Sequence, residues 1–188
     1  MRRVEILALF EKITVWKKKG QRAPHKPLLA LLALADIQLG RERLRPYADI
    51  DKPLRKLLQE FGPARQSYHP EYPFWHLQSD GLWEVGSDEP MRPRTGNTDP
   101  PKRELLRTHA QGGFTAEVHA ALRRNRTLQV DVVQQLLDAH FDGPKQGGNH
   151  PTDINRINRR MLLAPSSSLT FVGSRGYGKR GADDAVLT

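Results

Sequence analysis

A short basic segment leads into the most apolar run of the sequence. Arg22, His25 and Lys26 stand just before a stretch, 27–39, in which nearly every residue is Leu, Ala or Ile. Pro27 suits the first turn of a helix, because its φ is fixed and it has no N–H to satisfy. A helix that is apolar on nearly all sides is buried, and a helix N-terminus favours anions. The pattern predicts a core helix whose entry could bind phosphate, although a plain core helix with a basic entry loop fits equally well.

A second segment combines basic and aromatic side chains around prolines. It is Arg-Gln-Ser-Tyr-His-Pro-Glu-Tyr-Pro-Phe-Trp-His, residues 65–76. A small apolar surface beside basic groups can dock a base or a sugar–phosphate edge. Tyr72 and Pro73 lie next to the polar part of the segment and are the better surface candidates. We expect Phe74 and Trp83 to pack in the core instead.

Composition favours a polyanionic partner. The 188 residues suit one domain, and they carry a formal charge of +9 with a pI near 10.1. The chain contains no cysteine, which excludes disulfides, thiolate zinc sites and cysteine nucleophiles. This composition fits a reducing cytoplasm. No apolar run is long enough to span a bilayer, so we expect no membrane partner.

The sequence also lacks a recognisable catalytic centre. Asn149-His150 lies in a Gly- and Pro-rich segment, and the remaining histidines considered show no metal-ligand spacing: His69, His109, His119 and His140. There is no Gly-rich phosphate loop and no carboxylate cluster spaced for Mg²⁺. We therefore predict no metal, no cofactor and no enzymatic activity for this chain.

Apolar periodicity predicts a mainly helical α+β fold. Helices are expected over 3–18, 27–39 and from Asp49 or Asp51 to Phe61, followed by a β-hairpin over 73–85 that turns at Ser79-Asp80-Gly81. By analogy alone, this order matches a winged-helix arrangement of helices with a small hairpin.

The second half of the chain is expected to be helical up to a polar extension. After a loop over 86–100, Asp99 is predicted to cap a helix from Pro100 or Pro101, which Gln111-Gly112-Gly113-Phe114 would break. Two further helices are predicted over 115–124 and 127–140. We place the domain at 1–142 and a polar tail or linker at 143–188.

Three motifs in this order resemble a known family. They are Ala-Pro-His-Lys-Pro-Leu-Leu-x-Leu-Leu-x-Leu at 23–34, Tyr-Pro-Phe-Trp-x-Leu with Asp-Gly-Leu-Trp-Glu within 72–84, and Gly-Gly-Phe at 112–114. Together they resemble the sulfur-binding domain of phosphorothioate-dependent HNH restriction endonucleases, the modification-dependent (type IV) class of bacterial defence enzymes. The resemblance covers about residues 5 to 141.

The resemblance implies a sulfur-reading site. Sulfur in place of a phosphate oxygen is larger and accepts hydrogen bonds poorly, so an apolar depression should favour it, whereas an oxygen there loses hydration without gaining a partner. The family forms this depression with its Tyr-Pro pair, bordered by His-Lys, which implies Tyr72, Pro73, His25 and Lys26. His76 stands where the family can carry a small residue, so the shape of the depression should differ here.

The resemblance further implies a base-reading loop after the hairpin. In this sequence it is 92–98, with the candidates Arg92, Arg94, Thr95, Asn97 and Thr98. The two arginines could read guanine edges or only neutralise phosphates. Further phosphate candidates are Arg22, Arg65, Gln66 and Lys102.

Three functions follow from the sequence. The first is a non-enzymatic reader of double-stranded DNA carrying an Rp phosphorothioate, which would serve a fused or separate HNH nuclease. The second is a winged-helix regulator that binds unmodified DNA. The third is a metal-dependent nuclease with His25 as base or ligand, which the missing ligand pattern disfavours.

Overall fold

The structure is a computed structural model that describes residues 1–15, 17–18, 21–22, 24–94, 96 and 99–141; for 17, 18, 21 and 22 it describes the backbone only. Its helices are α1 (Arg3–Glu11), α2 (His25–Gln38), α3 (Tyr47–Phe61), α4 (Glu71–His76), α5 (Lys102–Arg107), α6 (Ala116–Arg124) and α7 (Arg126–His140). A 3₁₀ turn, Leu77–Asp80, follows α4. The strands are β1 (Lys17–Lys18), β2 (Gln21–Arg22), β3 (Arg45–Pro46), β4 (Trp83–Gly86) and β5 (Gln111–Phe114).

The core is built around α2. This helix packs against α3, α4, α6 and α7, and its side chains from Pro27 to Leu31 are all buried. Each buried leucine contributes about 1.5–3 kcal/mol by leaving water. The buried helix predicted over 27–39 is confirmed, and it begins at His25, so the basic entry residues His25 and Lys26 lie in its first turn.

A small antiparallel sheet closes one side of the core. Its strand order is β3-β5-β4, with Arg45 opposite Gly112 and Trp83 opposite Phe114. The two glycines of β5 permit this pairing. A Cβ on Gly112 would meet the Phe74 ring at 2.7 Å, and one on Gly113 would meet the Arg43 carbonyl oxygen at 1.9 Å. The Gly-Gly pair therefore forms the central strand, not the helix breaker that we expected.

Edge-to-face aromatic contacts join the sheet to the helices. Tyr47 packs on Phe74 with ring centroids 5.0 Å apart, Phe74 on Trp83 at 6.0 Å, Trp83 on Phe114 at 5.9 Å, and Phe114 on Phe10 at 5.7 Å. Phe74 is fully buried and Trp83 is 3% exposed. Both residues are core residues, as predicted.

The first helix is shorter than predicted. It ends at Glu11, and Lys17–Lys18 pairs with Gln21–Arg22 in a separate two-stranded ribbon. The β-branched run Ile13-Thr14-Val15 has low helix propensity. In addition, Asp80 accepts hydrogen bonds from both the N–H and the hydroxyl of Thr14, at 3.3 and 2.7 Å. The helix therefore ends at Glu11 rather than at Lys18.

The predicted hairpin over 73–85 is wrong. Its first half is α4 and a 3₁₀ turn, while β4 pairs with β5 from much later in the chain. Pro70 precedes the helix and Pro73 lies in its first turn, where a missing N–H costs nothing, whereas a proline in a paired strand loses a hydrogen bond. Gly81, with φ of 74°, ends the 3₁₀ turn. The mainly helical α+β class is confirmed, but the winged-helix arrangement is not.

Helix α3 begins at Tyr47 rather than at Asp49 or Asp51, and the cap predicted at Asp99 for α5 is wrong. Pro46 precedes α3 and Pro101 precedes α5, and neither helix has a side-chain cap. Asp51 instead accepts hydrogen bonds from Tyr47, Arg55 and Lys102. The other predicted helices, α6 and α7, agree with expectation, whereas 143–188 lies outside the described residues. None of the described helices is both long and apolar enough to span a bilayer.

The close approach at β5 generates a stability prediction. Gly113→Ala should unfold the domain at a lower temperature and cost at least about 3 kcal/mol, because its methyl group would displace the backbone of Arg43 and Leu44, just before β3. Gly86→Ala is the matched control: it also lies in a strand, but no atom lies within 4 Å of the position that its Cβ would take. Thermal unfolding of both variants measures the difference. Equal melting temperatures would show that the sheet tolerates a wider spacing.

Candidate nucleic-acid interface

The sulfur-site residues implied by the sequence lie around one surface depression. It has a volume of about 420 Å³ and is lined by Thr14, Val15, His25, Lys26, Tyr72, Pro73 and His76. We call this depression the dent. The first turn of α2 supplies one wall and α4 the other, and these helices pack directly on each other. Residues distant in sequence therefore share one site, although their roles remain predictions.

The Tyr72 ring is fixed by its neighbours. The His69 ring stacks on it with centroids 5.0 Å apart and planes inclined by 29°. The Arg94 guanidinium carbon lies 5.0 Å from the ring centroid, and Arg94 Nη1 donates a hydrogen bond of 2.9 Å to the Tyr72 hydroxyl. Such contacts restrict the rotation of the ring. Tyr72 thus presents a defined surface to the dent.

A buried carboxylate connects both of these neighbours. Glu71 is 6% exposed, and its Oε1 atom lies 3.0 Å from His69 Nδ1 and 3.5 Å from Arg94 Nη2. Buried carboxylates are costly unless paired, so these partners offset the cost of Glu71. Sequence reasoning missed Glu71 and His69 as site residues, because a lone Glu or His in a polar segment carries no distinguishing pattern.

Lys26 forms a nearly buried ion pair. Its Nζ atom lies 2.8 Å from Asp80 Oδ2 and donates a hydrogen bond of 3.0 Å to Thr14 Oγ1. The two charged side chains are 14% and 4% exposed. In the free protein the charge of the Lys26 ammonium is therefore balanced by Asp80. The ion pair holds together the segments that line the dent, and Lys26 is not available as an unpaired cation. Neither Asp80 nor Thr14 was predicted to belong to the site.

His25 lies between the dent and a second depression. The second one, of about 590 Å³, is lined by His25, Arg65, Gln66, Ser67, Tyr68, His69 and Tyr72. Burial, followed by the charges of Arg65 and His69, lowers the pKa of His25 below 6.5. The imidazole is therefore neutral at pH 7 and can donate one hydrogen bond. Arg65 and Gln66, which were predicted to contact phosphates, are exposed and line this second depression.

His76 connects the dent to the loop that precedes α5. Its Nε2 atom lies 2.7 Å from Oδ2 of buried Asp99, whose carbonyl accepts a hydrogen bond of 2.9 Å from the Arg94 N–H. Asp99 therefore stabilises the loop and does not cap α5. The imidazole of His76 also forms part of the dent lining.

The predicted base-reading residues are only partly described. The Arg92 side chain is exposed, whereas Arg94 is held by Tyr72 and Glu71. The Lys102 ammonium lies 2.6 Å from Asp51 Oδ2. Thr95, Asn97, Thr98 and the side chain of Arg22 lie outside the described residues. In the free protein, Arg94 and Lys102 are thus engaged within the protein.

The described ranges contain no group of three or more His, Cys, Asp or Glu side chains that could hold a metal ion. The dent offers side chains suited to non-covalent binding. An aromatic ring and a proline lie next to histidine and arginine side chains on a chain of high positive charge. This combination of aromatic and basic side chains with a high positive charge is typical of DNA-binding domains.

The family is established by comparison. Residues 3–148 match the family model described as ScoMcrA-like, DNA sulfur-binding domain, so the chain belongs to this family. The resemblance inferred from the three motifs is confirmed. No curated protein sequence matches the chain significantly.

Solved structures of similar fold include two domains bound to modified DNA. The sulfur-binding domain of ScoMcrA complexed with phosphorothioated DNA is 20% identical with a TM-score of 0.69, covering 84% of this chain and 98% of that one. The corresponding SprMcrA domain, also complexed with phosphorothioated DNA, is 22% identical with a TM-score of 0.66, covering 84% and 93%. The type IV phosphorothioation-dependent restriction endonuclease ScoMcrA is 21% identical with a TM-score of 0.62, covering 72% of this chain and 25% of that one.

The Lys26–Asp80 pair generates a second prediction. Lys26→Met should destabilise the domain by about 3 kcal/mol, because it leaves a buried carboxylate without its cation. The double variant Lys26→Met/Asp80→Asn should recover much of this loss. Urea unfolding of the wild type, the single variant and the double variant measures the free energies of unfolding.

The control is an exposed pair of the same type. Arg3 and Asp131 are 2.9 Å apart with side chains 56% and 28% exposed, so Arg3→Met should cost at most about 1 kcal/mol. Equal losses for Lys26→Met and Arg3→Met would contradict the importance given to the buried pair.

Proposed function

We propose that this chain binds double-stranded DNA carrying an Rp phosphorothioate and that the sulfur enters the dent. The observation that supports the proposal most directly is the juxtaposition of Tyr72 and Pro73 with His25 in one depression. Membership of the DNA sulfur-binding family supports it independently. The reader itself performs no chemistry on the DNA.

Selectivity would arise from a difference in desolvation. A phosphate oxygen entering the apolar part of the dent gives up its hydration without gaining a donor, at a cost of about 1–3 kcal/mol. Sulfur loses less, because it is weakly hydrated and makes good dispersion contacts with the tyrosine and proline rings. The remaining anionic oxygen would accept a hydrogen bond from His25 at the rim.

Affinity would come from neighbouring phosphates. Arg65 and Gln66 are exposed in the second depression, which shares His25 and Tyr72 with the dent, and the chain carries a formal charge of +9. Such contacts release counterions and make binding fall steeply with salt. The loop 92–98 would read flanking bases through Arg92, Thr95, Asn97 and Thr98. Arg94 and Lys102 could contact DNA only by exchanging their present partners.

Cleavage of the modified DNA would require an HNH nuclease, fused to this chain or separate. The similar region of the restriction endonuclease ScoMcrA makes up 25% of that chain. We do not propose a winged-helix regulator, because residues 73–85 do not form the wing that this function would need.

The test is a titration of two short duplexes that differ only by one Rp phosphorothioate, at near-physiological salt. The wild-type protein should bind the modified duplex at least about tenfold more tightly, a difference of about 1.4 kcal/mol. Tyr72→Ala and Pro73→Ala should reduce this ratio towards one while keeping weak, salt-sensitive binding. Fluorescence anisotropy provides the affinities.

Two controls make the result specific. Pro70→Ala removes another buried proline at the start of α4, one that does not line the dent, and should keep the ratio. Arg65→Ala should weaken binding to both duplexes alike and lower the salt slope by about one. Equal wild-type binding to both duplexes would refute the function, and an unchanged ratio in Pro73→Ala would refute the placement of the sulfur.

A further inference from the structure

We infer that Glu71 is a positioning residue that sets the sulfur preference of the site by fixing Tyr72 through His69 and Arg94. The inference rests on the proposed function. It assigns to Arg94 a task other than base reading, and it gives roles to Glu71 and His69, for which the sequence indicated none.

Glu71 contacts two side chains, His69 and Arg94, and both of them contact Tyr72. One oxygen of Glu71, Oε1, lies within 3.0 Å of His69 Nδ1 and 3.5 Å of Arg94 Nη2. His69 stacks on the Tyr72 ring, and Arg94 donates to the Tyr72 hydroxyl at 2.9 Å. The carboxylate thus holds both groups that contact Tyr72, although it precedes Tyr72 directly in the chain.

His69 and Arg94 each have a further contact beyond those to Glu71 and Tyr72. Ser67 Oγ lies 2.9 Å from His69 Nε2, which fixes the second nitrogen of the imidazole. The Arg94 backbone is held by the Asp99 carbonyl, and Asp99 also contacts His76 on the dent lining. The network around Glu71 therefore links both depressions to the loop that precedes α5.

Glu71 is placed to act only through these neighbours. It is 6% exposed and does not line either depression, so it would not touch the DNA. A carboxylate near a phosphate-binding surface lowers affinity for anions unless cations neutralise it. Its paired, buried position serves the orientation of Tyr72 and avoids this repulsion.

Orientation matters because discrimination needs a rigid dent. A tyrosine ring free to rotate would leave space for water beside the phosphate, and an oxygen could then keep part of its hydration. The penalty for oxygen would fall, while contacts to neighbouring phosphates would persist. Binding geometries must usually be held to within about 0.5 Å by supporting contacts. Loss of the Glu71 carboxylate should thus reduce the preference for sulfur more than it reduces the affinity for unmodified DNA.

The experiment uses Glu71→Gln, which keeps the size of the side chain and removes its charge. The ratio of affinities for the Rp phosphorothioate and unmodified duplexes should fall at least about fivefold relative to wild type. Binding to the unmodified duplex should change less than about twofold. A fall in both affinities by the same factor, or an unchanged ratio, would overturn the inference.

Asp36→Asn is the matched control. Asp36 is also 6% exposed and also pairs with two cations, Arg41 and Arg45, but it lies near the other end of α2. Its substitution should lower the melting temperature without changing the affinity ratio. If both variants change the ratio equally, the effect is general loss of stability, and the role of Glu71 is refuted.

A double-variant cycle shows whether Glu71 acts through Tyr72. In a Tyr72→Phe background, which keeps the ring but lacks the hydroxyl that Arg94 holds, Glu71→Gln should lower the affinity ratio by a smaller factor than in the wild-type background. An equal fall in both backgrounds would contradict the inference. If Glu71→Gln does not fold, Arg94→Lys replaces it: this variant keeps the cation but loses the planar fork, and it should lower the ratio in the same way.

Failure of the inference can be distinguished from failure of the function. A wild-type protein without sulfur preference would refute the proposed function and the inference with it. A wild-type preference that survives Glu71→Gln and Arg94→Lys would refute the inference alone.

Discussion

The structure of the dent depends on the ion pair between Lys26 and Asp80. Lys26 lies in the first turn of α2, Asp80 ends the turn after α4, and Thr14, which bonds to both, belongs to the segment after α1. One nearly buried pair therefore joins all three chain segments that line the depression. The apolar residues of α2 that follow Lys26 are buried, so the core fixes the position of Lys26. The core thereby also determines where the ion pair that holds the three segments together can form.

Much of the helical architecture could be predicted because burial imposes a period of 3.6 residues. The run 27–39 is apolar on nearly every side, and it is the helix that contacts most of the others. Phe74 and Trp83 were recognisable as core residues from their size. The grouping of His25, Lys26, Tyr72, Pro73 and His76 was implied only by motif resemblance, since spacing in sequence does not indicate which segments meet.

The remaining features depend on contacts between distant residues. The pairing of β4 with β5 requires the close approach that Gly112 and Gly113 allow, and local turn signals at Ser79-Asp80-Gly81 indicated a different partner. Likewise, Lys26 and Arg94 looked like free cations for DNA. Whether a basic side chain is available or already paired depends on carboxylates such as Asp80 and Glu71, which only the folded chain brings near them.

The central claim is that one fixed dent recognises one sulfur atom. The most direct measurement compares duplexes carrying the Rp and the Sp phosphorothioate at the same position, which have the same charge and composition. The two non-bridging positions point in different directions, so a rigid dent beside a phosphate-binding surface can admit only one of them. We expect tight binding of the Rp duplex and binding of the Sp duplex no stronger than that of unmodified DNA. Equal binding of the two diastereomers would contradict the account.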